Sequence, residues 1–299
     1  MRAAATVLLL REPAPGDLEV LMLHRGTGLS FMAGMWVFPG GRVDEADASA
    51  AVRRRVSMEA LEGCKDRLLT MQGERLTADD AIALHVAACR ETFEESGVLL
   101  ARDRHGAPCT PERVAALQSR RPEVAAHAAT FVALLEEEDL FLDIGPLVYW
   151  SHWITPSLEP KRYDTRFFAI PVPAGQSVSA DLSELTEHAW VRPSGIQATL
   201  ERGELRVVPP TLLTLEDLGE SHARHGGLAA MLELERGRAT PPVMPRIEAR
   251  EDAFRVVMPW DAGYASIAGE GCQPAGGFPP HLLRRRSCLT VARERSVRQ

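Results

Sequence analysis

The stretch Ala88-Cys89-Arg90-Glu91-Thr92-Phe93-Glu94-Glu95-Ser96-Gly97-Val98 decides how this chain is read. Glu91, Glu94 and Glu95 stand at i, i+3 and i+4, behind Arg90 and ahead of Gly97. At about 100° per residue, Ile82, Val86, Cys89 and Phe93 fall within roughly 60° of one another, and Glu91 and Glu95 point the opposite way. The pattern predicts a helix that buries one side and gathers anions on the other. Like charges four residues apart weaken a helix by about 0.2–0.5 kcal/mol, so a compensating partner is expected. A hard divalent cation bound through oxygen is one such partner; a solvated acidic face is the competing reading.

Upstream, Trp36-Val37-Phe38 runs into Pro39-Gly40-Gly41-Arg42-Val43-Asp44. This reads as a buried strand leaving into a loop with accessible backbone. Together, Gly41 and Arg90–Val98 resemble the two halves of the Nudix box, G-x5-E-x7-R-E-U-x-E-E-x-G-U, where U is a bulky aliphatic residue. The second half matches at every fixed position, with Thr92 at the first U. The first half departs from the pattern: Asp47 stands where the box has Glu, and 42 residues, not seven, separate it from Arg90. A long insertion inside the box is similar to the coenzyme A diphosphatase-like branch of that superfamily. Pro160 to Phe168 also resembles the P-x-R-x-D-T-R-F-F stretch of the same branch.

That resemblance implies an α/β fold, a Nudix-type α/β/α sandwich around a mixed β-sheet with helical insertions. It implies hydrolysis of a pyrophosphate bond in a nucleoside-diphosphate-linked compound, with coenzyme A or acyl-CoA preferred. ADP-ribose or NADH is the alternative substrate, and a nucleotide-sensing module without catalysis is the alternative class. Mg²⁺ or Mn²⁺ would sit on Glu91, Glu94 and Glu95, helped by a backbone carbonyl of Gly40 or Gly41. Arg90 would hold the glutamates by ion pairing, and Glu91, Glu95 or Glu187 would serve as base. Arg25, Arg42, Arg162, Tyr163 and Arg166 are the expected substrate contacts. A homodimer is possible on the same grounds.

Composition narrows the class from another direction. Of 299 residues, 45% are hydrophobic and 25% charged, ordinary values for a globular protein. A net charge of −7 gives no reason to expect nucleic-acid or membrane-surface binding. An anionic substrate therefore needs local cations. Five scattered cysteines without a CxxC pair speak against a disulfide framework or zinc site and fit a reducing cytoplasm. Ala3 to Leu10 is short for a signal peptide and is followed by Arg11-Glu12-Pro13, so it reads as the first strand.

In chain order, strands are expected at Thr6–Leu10 and Leu18–His24, then a helical insertion over 48–76. Thr77 caps a main helix over Ala78–Ser96, Gly97 stops it, and Val98-Leu99-Leu100 opens a strand. A second helical region spans 110–140, broken by Pro122, with Glu136 to Asp139 as a solvated cluster. Strands follow at Leu147–Ile154, Phe167–Val172 and Ala189–Val191, then helices over Pro193–Leu205 and Pro209–Leu218. Residues 1–218 make the expected Nudix domain. Residues 219–299 make a Pro/Gly/Arg-rich extension packed on it, with one strand at Phe254–Met258. There His222 and His225 read as surface-loop residues, and Arg284-Arg285-Arg286 as a solvated tail.

Overall fold

The apolar N-terminal run forms β1 (Arg2–Arg11), and the main sheet is built around it. The computed structural model describes residues 1–28, 32–56, 68–179, 185–251, 253–272, 274 and 277–292. On one side β1 runs parallel to β8 (Tyr163–Pro171) along its length. On the other side it is shared. Ala4–Thr6 pairs antiparallel with β4 (Gly40–Arg42), and Leu10–Arg11 pairs with β2 (Glu19–Arg25). β3 (Trp36–Val37) and β9 (Leu185–Val191) flank β2. β7 (Val148–Ile154) lies antiparallel beyond β8, and β10 (Pro242–Val243) closes that edge parallel to β7. The sheet is mixed and forks at β1.

Strand alternation sends the two sheet faces into different cores. Ala5, Val7, Leu9, Leu21, Leu23, Phe168 and Ile170 join one core. That core also holds Val52 of α1 (Ala50–Arg53) and the apolar residues of α2 (Ala78–Ser96). Around it lie β5 (Ala101–Asp103), α3 (Pro111–Leu117), α4 (Arg121–Ala126), α5 (Ala128–Glu137) and β6 (Leu140–Leu142). Leu8, Leu10, Val20, Met22, Phe167 and Ala169 join the other core. This face is covered by α6 (Ile196–Glu201), α7 (Pro209–His225) and α8 (Leu228–Glu235). The result is the α/β/α sandwich. A separate sheet follows, β11 (Arg246–Ala249), β12 (Ala253–Val257) and β13 (Cys288–Ala292), with α9 (Pro280–Leu283) before its last strand.

The helix α2 has the expected bounds for the expected reasons. Thr77 Oγ1 accepts the Asp80 N–H, and Gly97 closes the helix at φ 72°, returning its N–H to the Phe93 carbonyl. Contrary to the one-sided expectation, its acidic face is also covered. Ile82, Val86, Cys89 and Phe93 face the core as read, yet Arg90, Thr92 and Glu94 are buried too. Thr92 takes the aliphatic position of the box because its hydroxyl donates back to the Ala88 carbonyl, which satisfies it inside the helix.

Other expectations need correcting. Val98–Leu100 are buried but belong to no strand, and the strand starts only at Ala101. Pro122 does not break a helix; it sits in the first turn of α4, where its missing N–H costs nothing. The strand expected from Phe167 starts at Tyr163. α7 continues past Leu218 to His225, so His222 and His225 are helical and meet Glu12 and Glu235. The arginine run is docked on the same helix: Arg285 pairs with Asp217 and donates to the Leu213 carbonyl, and Arg286 pairs with Glu216. Glu136, Glu137, Glu138 and Asp139 are paired with Arg54, Arg120, Arg113 and Arg55. Residues 57–67 of the insertion, with Phe31 and Glu184, lie outside the described residues.

Candidate active site

Arg90 projects from α2 into a pocket of acceptors, and every one of its five N–H groups finds one. Nε and Nη2 donate to the two oxygens of Asp47, each at 2.9 Å. Nη2 also donates to the Arg42 carbonyl at 2.8 Å, and Nη1 reaches Glu91 at 2.9 Å and Glu94 at 2.8 Å. Burial works against this cation. The Asp47 hydrogen bonds and the Glu91, Asp47 and Glu94 charges outweigh it and raise its pKa further. Asp47 is fully buried and accepts the Asp44 N–H as well, closing a reciprocal cap on the turn at Glu45–Ala48. The side chain one methylene shorter than Glu thus reaches Arg90 bidentately.

The loop glycines bring backbone against this wall. A Cβ on Gly41 would run into the Glu91 carboxylate, and one on Gly40 would lie 2.5 Å from the Ala5 carbonyl oxygen. With no side chain in the way, the Gly40 N–H donates to Glu95 at 2.8 Å. At the far end of the helix, Arg121 donates through Nε and Nη2 to the Glu94 carbonyl, pinning the last turn. Sequence reading missed this residue, because nothing local links it to α2.

Burial raises the pKa of all three glutamates. For Glu94 it acts with the Glu91 charge, against Arg90, to bring the group to about 7. Glu91 is raised by burial despite Arg90. Glu95 is raised by burial and by Glu91, against the Gly40 hydrogen bond and Arg25. One guanidinium does not neutralise four carboxylates, so the wall has negative charge to share. Its donors are carboxylate and carbonyl oxygens, the set preferred by Mg²⁺ or Mn²⁺. Among the described residues no three Asp, Glu, His or Cys side chains are gathered tightly enough to chelate as they stand. Glu94 is turned onto Arg90, and Glu95 onto Gly40. The donor chemistry fits a hard cation; chelation would require these two side chains to swing.

Glu91, Glu94 and Glu95 share a cleft of about 1460 Å³ with Gly40, Gly41, Arg25, Arg42 and Tyr163. Three expected site residues are elsewhere. Alternation along β8 puts Tyr163, Thr165 and Phe167 toward the cleft and turns Asp164 and Arg166 to the other face. There Arg166 is buried, paired with Asp164 at 2.8 Å and bonded to the Leu69 carbonyl. Arg162 leaves the cleft for Thr155, Met244 and Glu270. Glu187 is exposed on β9 opposite His24; a bulge between the His24–Glu187 and Arg25–Leu185 pairs breaks the alternation, so Leu185 lines the cleft instead. Lys161 does line the cleft, and extending the β8 alternation backwards would have favoured it over Arg162 and Arg166.

The forked mixed sheet, the capped helix and the Arg90 cluster define a Nudix-type protein. The solved structure of a Nudix hydrolase from Alicyclobacillus acidocaldarius superposes with a TM-score of 0.60 at 28% identity, covering 81% of this chain and 97% of that one. More narrowly, the chain belongs to the NUDT19 Nudix domain family, whose profile matches residues 1–218. The acyl-coenzyme A diphosphatase NUDT19 of Homo sapiens is 28% identical over 285 residues, 85% of this chain and 74% of that protein. Its counterpart in Xenopus laevis is 29% identical over 227 residues, 68% of this chain. The chain spans 60% of the length of that frog relative. Among the described residues no helix is long and apolar enough to cross a membrane.

Proposed function

We propose that this chain hydrolyses the pyrophosphate bond of coenzyme A or acyl-CoA with a divalent metal, yielding 3′-phosphoadenosine 5′-phosphate and a phosphopantetheine. One observation carries the proposal: three glutamates, two held by the saturated Arg90 and one by the Gly40 N–H, face the same cleft as Arg25, Arg42 and Lys161. A pyrophosphate repels an attacking water, so a site for its hydrolysis must neutralise charge and orient the nucleophile. When bound at Glu91, Glu94 and Glu95, Mg²⁺ or Mn²⁺ supplies Lewis acidity and a more acidic water.

The protein's own contribution is positioning. Arg90, held by Asp47, fixes the α2 carboxylates relative to the β4 loop. The Gly40 N–H holds Glu95, which would serve as the base toward the attacking water. Arg25, Arg42 and Lys161 meet the phosphates, and Tyr163 offers a ring to the base or the amide arm. The names of the human and frog relatives support acyl-CoA over ADP-ribose or NADH. Retention of all three glutamates of the second half of the box supports turnover over sensing. Free buried thiols at Cys89, Cys109 and Cys272 support work in the cytoplasm. A homodimer belongs to the same proposal and is checked by sedimentation.

The test is product release from coenzyme A, acetyl-CoA, NADH, ADP-ribose and diadenosine polyphosphates, with and without Mg²⁺ or Mn²⁺. Metal-dependent cleavage of coenzyme A or its thioester, lost in Glu94→Gln and Glu95→Gln, is expected. Cleavage of ADP-ribose or NADH alone would overturn the substrate class.

A further inference from the structure

The cleft has a second wall, and it comes from outside the family match. Ile247 and Ala249 of β11, Phe254 and Val256 of β12 and Val291 of β13 all line the cavity that holds Glu91, Glu94 and Glu95. Cross-strand register makes this wall continuous. Ile247, Val256 and Leu289 stand opposite one another in one row, and Ala249, Phe254 and Val291 in the next. On the reverse face Arg255 pairs with Glu248 beside an exposed Thr290, while Val257 and Ala253 are buried against the rest of the chain. A sheet charged on one side normally buries its apolar side against protein. In the outer row Phe254 keeps 37% of its surface exposed and Val291 40%. Across the mouth, Leu158 is 67% exposed, and Pro209 and Pro210 complete an apolar rim.

We infer that the β11–β12–β13 sheet is a subsite for the fatty-acyl chain of an acyl-CoA thioester whose pyrophosphate lies on the carboxylate wall. The inference rests on the proposed diphosphatase reading and deepens it. Three features favour this occupant. The apolar wall is continuous with the candidate catalytic cleft and shares its mouth. The cavity, about 1460 Å³, exceeds the roughly 300–1,000 Å³ of ordinary ligand pockets, leaving room beyond a nucleotide. The wall offers no charge within the Ile247, Ala249, Phe254, Val256 and Val291 set, which suits methylenes and not a second phosphate.

The full chain is assayed with coenzyme A and with acetyl, hexanoyl and lauroyl thioesters, below their micelle-forming concentrations. Wild type, Phe254→Ser, Ile247→Asn and a reverse-face control, Glu248→Gln, are compared. A chain buried on this wall adds roughly two- to four-fold to kcat/KM per covered methylene, mainly through KM, because the tail is bound alike in ground and transition states. The expected result is a chain-length preference that collapses in Phe254→Ser and Ile247→Asn and persists in Glu248→Gln, with free coenzyme A turned over equally by all four. A flat chain-length profile with coenzyme A still cleaved overturns the subsite and leaves the diphosphatase reading standing. No cleavage of coenzyme A or any thioester overturns both. A Phe254→Ser variant that only converts a dimer to a monomer, with its chain-length profile unchanged, overturns the subsite in favour of a second copy of the chain.

Discussion

The two walls of the cleft are built by opposite physics. On the carboxylate wall each group is held by another: Asp47 grips Arg90, Arg90 grips Glu91 and Glu94, and Gly40 grips Glu95. On the apolar wall strand register sets Ile247, Phe254 and Val291 in rows. The first arrangement tolerates little change, because a buried charge that loses its partner is strongly penalised. The second tolerates much, because a half-exposed apolar side chain forfeits only part of its burial. Chemistry belongs on the intolerant wall, and selection among substrates on the tolerant one.

The sharpest way to break this contrast is Asp47→Ala. It removes two of the five acceptors of Arg90, a residue 4% exposed that keeps Glu91, Glu94 and the Arg42 carbonyl, and a loss of about 2–3 kcal/mol in denaturant stability is expected. Asp47→Glu, which keeps the charge, should recover most of it. A loss below about 1 kcal/mol for Asp47→Ala would mean that the carboxylate wall is not held as described.

His85 sharpens the comparison from beneath the same helix. Its Nδ1–H donates to the Ala81 carbonyl, Nε2 has no partner among the described residues, and burial pushes its pKa down to about 4. The unfolded chain titrates near 6.5, so unfolding takes up a proton between these values. The neutral histidine's contribution is fully present above about pH 6.5 and is lost as pH falls toward 4, by about 1.4 kcal/mol per pH unit. The raised glutamates act in the opposite direction, so the readout is the difference between wild type and His85→Gln. Wild type should lose stability relative to the variant between pH 6.5 and 4.5. A pH-independent difference would show that the ring is charged or solvated.

Lys161, at the mouth shared by both walls, gives the smallest effect. An exposed cation contributes about 0.5–1 kcal/mol, so Lys161→Ala should raise KM two- to five-fold and leave kcat unchanged. Arg162→Ala should not change KM, since that guanidinium is committed to Thr155, Met244 and Glu270. Equal effects from the two would cancel the assignment of Lys161 to the cleft.

The carboxylate wall was legible in sequence because its determinants are local. Thr77, Gly97 and the apolar spacing bound α2, and the box spacing singled out Arg90 and its glutamates. Asp47 reads in sequence only as a departure from the box, while its role as the bidentate partner of Arg90 depends on a fold that spans the insertion. Arg162 and Arg166 were misplaced because β8 starts at Tyr163 and not at Phe167, so its alternation was not applied to them. Arg285 looked like a solvated tail because its partner, Asp217, lies on a distant helix. Of the apolar wall only its middle strand was legible, expected at Phe254–Met258 and found at Ala253–Val257. The wall's residues come from three strands between 246 and 292, and only register brings them together.

The most direct test of the carboxylate wall is Mn²⁺ binding, followed by loss of the free-ion paramagnetic resonance signal. It does not depend on which substrate is cleaved. Wild-type protein should take up Mn²⁺ in proportion to its concentration, and Mg²⁺ should compete. The folded Glu94→Gln, Glu95→Gln double variant should leave the ion free. Equal uptake by both proteins would place the metal elsewhere and contradict the assignment of these glutamates.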